Sequence, residues 1–200
     1  MRSQVTKKIV VLANSQKFCE SSKKYGRLVA GATKSGEWIR LVEDESGDAL
    51  PQFKAMRMAV GKVIEVTVLH APLAHQTENA ILLDCVAAVD NPDEYTRNIQ
   101  LVDEDGIFGN SSNQLRQAPT AGTLRYVHVE NLRVYWDNSF KCKADFIFKG
   151  ERHEGLSMTD SRFYTPKGSS PVRYGNAQIV VSLPDSPIYN KFVASIKLDA

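Results

Sequence analysis

The sequence predicts a mainly β protein organised as two small β domains, and three observations carry that prediction. Short runs of Val, Ile, Leu and aromatic residues recur along the chain and are broken by turns of Gly, Asn, Ser and Lys. The second half alternates apolar and polar residues over long stretches, the period of a strand with one buried side. The 200 residues suit two domains of roughly 80 to 100 residues each. An apolar fraction of 42% beside a charged fraction of 24% lets such domains bury a core without metals or disulfides.

The first strand is expected at residues 9–13 (Ile9, Val10, Val11, Leu12, Ala13), ending in a polar loop of Asn14, Ser15, Gln16 and Lys17. Residues 28–31 and 36–42 follow as two more strands, the latter carrying Trp38 and Arg40. Residues 50–61 have a helical setting, with Gly61 as its C-cap and Met56 and Met58 in the core. Residues 62–69 and 80–87 read as strands, because Val, Ile, Thr and Leu dominate them. Asn91, Pro92, Asp93 and Glu94 open a short helix that should run to about Asn98, with an Asn cap, Pro in the first turn and acids facing the helix dipole.

A polar stretch then reaches Gly122 and is the expected linker or functional loop, which sets domains at 1–98 and 123–200 with a connection at 99–122. Residues 124–136 form a long strand, Asp137 and Asn138 a turn, and Phe140, Cys142, Ala144, Phe146 and Phe148 the buried side of the returning strand. Lys141, Lys143, Asp145 and Lys149 fall on its opposite side. After a turn at Gly150, strands are expected at 154–158, 179–183 and 192–196. No period of roughly 20 to 50 residues that would suggest a solenoid is visible.

Charge narrows the function classes. The net charge is +2, with 13 basic against 12 acidic residues up to position 100 and 12 against 11 beyond it. Neither half is a basic arm, which argues against coating duplex nucleic acid but leaves one strand or one nucleotide open as a ligand. The opening eight residues precede only five apolar ones, too few for a signal core or a membrane span, so a cytoplasmic protein with no membrane partner is expected. Cys19, Cys85 and Cys142 are too scattered for a disulfide framework or a cysteine zinc site, and Cys85 and Cys142 read as buried thiols.

Catalytic signals are missing. The four histidines show no metal-ligand spacing, the acids at 103–105 lack the rest of a calcium loop, and no Walker A, G-x-G-x-x-G or G-x-S-x-G pattern occurs. This favours a non-enzymatic binding module without cofactor. Asn14, Ser15 and Lys17 offer amide, hydroxyl and ammonium groups to base edges or phosphates, and Gln76 and Asn79 form a second polar knot that could equally be a turn.

Several segments together resemble the bacterial dual OB-containing domain family. They are residues 12–17, 29–31, 36–40, 75–79, 108–110, 157–160 and 180–183, followed by 189–196, and they span the chain in order. The resemblance implies two OB-like barrels in one compact unit, a setting near prokaryotic defence or mobile elements, and a nucleic-acid or nucleotide role without a catalytic set. The insertion at 18–24 and the Leu183, Pro184, Asp185, Ser186, Pro187 turn depart from the family pattern. OB barrels hold single strands by aromatic stacking and by cations along the backbone. Trp38, Tyr126, Tyr135 and Trp136 are the candidate stackers, with Lys17, Arg40, Arg125 and Arg133 as charge partners. Asn14, Ser15, Lys17, Trp38, Arg40, Gln76 and Asn79 form the expected site, with a protein-interaction scaffold as the alternative function and a nucleic-acid-processing enzyme as the third.

Overall fold

Residues 3–19, 23–99, 106–117, 119, 122–184 and 189–199 are described by a computed structural model of the chain. The chain divides into two compact units, Met1–Gln100 and Leu101–Ala200.

The first unit contains β1 (Gln4–Cys19), β2 (Lys24–Thr33), β3 (Trp38–Val42), α1 (Gln52–Ala55), β4 (Val63–His70), β5 (Asn79–Ala87) and α2 (Asp93–Thr96). Its five strands close into a barrel in the order β1-β2-β3-β5-β4, with β1 returning to β4. The β3–β5 pairing is parallel and sets Arg40 beside Asn79. Ile9, Val11, Val29, Ile39, Leu41, Ile64, Val66 and Val68 fill the interior with Ala80 and Leu82 of β5, so the apolar positions of five strands make one core.

Asn14, Ser15, Gln16 and Lys17 are not a loop. They continue β1 and pair with Val29, Leu28, Arg27 and Gly26 of β2. Locally Asn14 and Ser15 favour turns, but the ladder to a facing strand overrides that preference. The helix expected at 50–61 is a single turn, so Met56 is 75% exposed while Met58 enters the core. The second helix starts at Asp93 with Pro92 as its N-cap, one residue later than expected, and ends at Thr96 short of Asn98, while the Asn91 side chain accepts from the Asp93 backbone N–H at 3.1 Å.

The second unit holds β6 (Gln114–Leu115), β7 (Leu124–Trp136), β8 (Cys142–Phe148), β9 (Glu151–Met158), a 3-10 turn (Ser161–Phe163), β10 (Val172–Ser182), β11 (Tyr189–Asn190) and β12 (Phe192–Leu198). Its large strands also close into a barrel, in the order β10-β12-β9-β8-β7, with β7 returning to β10. The β12–β9 pairing is parallel, as β3–β5 is in the first unit. Counting strands from each unit's own start gives the order 1-2-3-5-4 in both, a barrel twice over.

Several expectations change here. The described part of the polar stretch, 106–117, is built into this unit: Ile107 and Phe108 join the core, and Lys191 donates to the Asn110 carbonyl at 2.7 Å. Acids 103–105 lie outside the described residues. Phe140 turns outward because it sits in the β7–β8 turn at φ 55°, beyond the strand's alternation. β10 begins seven residues before the expected strand at 179, and Cys85 is half-buried rather than buried. Residues 185–188 of the expected terminal turn are likewise outside the described set.

Candidate functional site

Of the polar residues singled out in the first barrel, most are enclosed. Ser15, Arg40, Gln76 and Asn79 are buried, while Asn14, Lys17 and Trp38 are half-buried. Arg40 donates from Nε and Nη2 to Glu78 Oε1 at 3.4 and 3.2 Å, an ion pair whose side chains are 2% and 5% exposed. Asn79 Nδ2 donates to Gln76 Oε1 at 3.2 Å, and Lys17 Nζ reaches the Gly47 carbonyl at 3.5 Å. A Cβ on Gly47 would lie 3.1 Å from Asn79 Nδ2, so Lys17, Arg40, Gln76 and Asn79 do gather where β3 meets β5. Asn14 stands apart, holding the carbonyls of Ala55 and Met58.

The second barrel presents a different surface. Leu132 and Val134 of β7, Ala144 and Phe146 of β8 and Leu156 of β9 face the core. Their neighbours along each strand therefore face outward. Register places Tyr135, Lys143 and Ser157 in one row across three strands, and Arg133 with Asp145 in the next. Lys143 Nζ donates to Ser157 Oγ at 3.0 Å. The Arg133 guanidinium stacks 4.8 Å from the Tyr135 ring centre. Burial, then the hydrogen bond to Asp145, pushes the Tyr135 phenol up to about 12, so it remains a donor at neutral pH. The adjoining β7–β8 turn carries exposed Phe140 and Lys141.

The first barrel's own β1–β2 hairpin repeats this chemistry. Phe18 and Tyr25 are exposed, with ring centres 5.0 Å apart, and Lys23 and Lys24 are exposed beside them. Two of the other candidate aromatics have internal duties. Trp136 donates its indole N–H to the Thr165 carbonyl at 2.8 Å, and Tyr126 is buried with its hydroxyl on Gln178. Arg125 lies over Phe108 at 4.5 Å. Lys143, Ser157, Phe18, Tyr25 and Phe140 were not among the expected site residues. The alternation that put Lys143 on the solvent side of β8 was the available signal.

Two closed five-stranded barrels with the 1-2-3-5-4 order and a parallel closure between strands three and five define a pair of OB-fold units. The family model for the dual OB-containing domain matches residues 7–196, and the chain belongs to that family. No curated protein matches it. Among the described residues, no helix is long and apolar enough to cross a membrane, and no group of three or more His, Cys, Asp or Glu side chains is placed to hold a metal ion.

Proposed function

We propose that this protein is a non-enzymatic binding module that recognises single-stranded nucleic acid. OB folds bind such strands on the face of their second and third strands and on the adjoining loops. The observation that carries the reading is the outward row of Tyr135, Lys143 and Ser157 with Arg133 stacked beside it, a ring for bases next to cations for phosphates. Lys17, Lys23, Lys24, Phe18 and Tyr25 supply the same groups on the first barrel, where Trp38 is the remaining candidate from the expected set. The enclosed Arg40, Gln76 and Asn79 then serve to shape the ground beneath Lys17.

Fluorescence anisotropy with labelled single-stranded DNA, single-stranded RNA and duplex probes tests this. Single strands should bind in a salt-sensitive way, and Tyr135→Ala should weaken them roughly 5- to 150-fold, the worth of one stacked base. No binding of any single strand at low salt overturns the reading. A protein partner is the second reading, favoured by Phe53 and Met56, which stand 70% and 75% exposed one helical turn apart. Retained partner capture by the Phe53→Ser, Met56→Ser double variant would remove that support.

A further inference from the structure

Asp145 is an enclosed carboxylate set among Arg133 and Lys143, on a face that also carries the exposed Glu154. It projects outward from β8, yet its side chain is only 12% exposed, because three neighbours close around it. Oδ1 accepts from the Tyr135 hydroxyl at 3.0 Å and from the Gly155 backbone N–H at 2.8 Å. Oδ2 lies 3.6 Å from Arg133 Nη1. The β8–β9 ladder shifts register between Ala144 and Phe146, and Gly155 occupies that irregularity at φ 68°. Its N–H is thus met by Asp145 rather than by a strand partner.

Two of these contacts, to Tyr135 and Arg133, remove freedom from groups that would touch a strand. An unpinned tyrosine on an open sheet samples several rotamers, and stacking a base on it must fix one of them. Here the hydroxyl is tethered at its far end, and the guanidinium over the ring is tethered to the same carboxylate. Ring and cation are thereby ordered before a ligand arrives.

We propose that Asp145 is a positioning residue of the single-strand face, holding Tyr135 and Arg133 in their stacked arrangement so that binding depends on a carboxylate that touches no phosphate. The proposal rests on the nucleic-acid reading above. It makes a prediction opposite in sign to plain electrostatics: deleting a negative charge from a phosphate-binding face should tighten binding, whereas deleting a positioning group should loosen it.

The test is anisotropy titration of a labelled thymidine strand of about 15 nucleotides, within the span of an OB fold, against the full chain and its variants. Asp145→Ala should lose roughly tenfold in affinity, the cost of re-ordering two side chains on binding. Asp145→Asn, which keeps an acceptor oxygen for the Tyr135 hydroxyl, should recover part of that loss. Tyr135→Phe keeps the carboxylate and its bond to Gly155, and should lose roughly threefold alone but nothing further in the Asp145→Ala background. Folding is checked by circular dichroism, and if Asp145→Ala is not folded, Tyr135→Phe decides alone. Asp145→Ala binding as tightly as the unaltered protein or more so, or full affinity in Tyr135→Phe, overturns the proposal. Failure of the unaltered protein to bind the strand overturns instead the function on which it rests.

Discussion

Asn14 shows why a polar side chain in a candidate site need not face a ligand. Its two amide hydrogens go to the carbonyls of Ala55 and Met58 at 2.9 and 2.8 Å, and its oxygen accepts from Arg27 Nε at 2.8 Å. The amide ties α1 and the turn after it to β1. Asn14→Ala should therefore cost about 2 kcal/mol in urea unfolding, through two partly buried carbonyls left without that donor, while the affinity of the folded protein for a single strand stays the same. His153 is a second such residue, wholly buried on β9 and stacked on Phe146 at 5.2 Å, with neither ring nitrogen hydrogen-bonded to any of the described residues. Burial, helped by the Lys191 charge, lowers its pKa to about 4. Unfolded, the ring takes its proton near pH 6.5. Between those values the unfolded chain binds more protons, so stability is complete above about pH 6.5 and falls as the pH drops toward 4. The loss should reach about 2 kcal/mol at pH 5. His153→Phe, which keeps an aromatic ring there, should flatten that part of the pH profile; an unchanged slope would mean that another group sets it.

At the scale of the element, β1 does the most. It pairs with β2 over one length and β4 over another, and a register shift between Val11 and Ala13 lets it bend from one to the other. Gly31 faces that bend. A Cβ there would sit 2.2 Å from the Val10 carbonyl oxygen, a clash with backbone that no rotamer relieves. Gly31→Ala should destabilise the first barrel by about 3 kcal/mol or more and lower its melting temperature by more than about 10 °C. A melting temperature within a degree or two of the unaltered protein would show that the bend can open. Nothing in a Val-Ala-Gly-Ala run announces this, because the need for glycine comes from the neighbouring strand. The same limit explains why residues 14–17 read as a loop: Asn14 and Ser15 are turn formers, Gln16 and Lys17 are polar, and only the facing β2 makes the four a strand. Where one strand's own alternation sufficed, as in β7 with its bounds at Leu124–Trp136, the reading and the structure coincide.

Across the whole molecule, the two barrels share a strand order that no repeat in the sequence displays. Each closes through a parallel pair far apart in the chain, Arg40 with Asn79 and Ser157 with Phe192, so closure is a property of topology and not of local pattern. The second barrel's face was legible only by halves for the same reason. Alternation put Lys143 and Asp145 outside, but their meeting with Tyr135, Arg133 and Gly155 needs two neighbouring strands in register. The even charge of the chain gives this arrangement a measurable consequence. With one positive charge in excess in each half, salt dependence should come from cations at the face itself. If Arg133, Lys141 and Lys143 each meet one phosphate, the logarithm of affinity should fall against the logarithm of salt with a slope of about −2, roughly a 20-fold loss from 50 to 200 mM. Arg133→Ala or Lys143→Ala should each make that slope shallower by about 0.7. Tyr135→Ala should lower affinity equally at every salt concentration, since stacking releases no counterions. A slope several times steeper, or one that Lys143→Ala leaves unchanged, would locate the phosphate contacts on other cations and remove the β7–β8–β9 face from the binding surface.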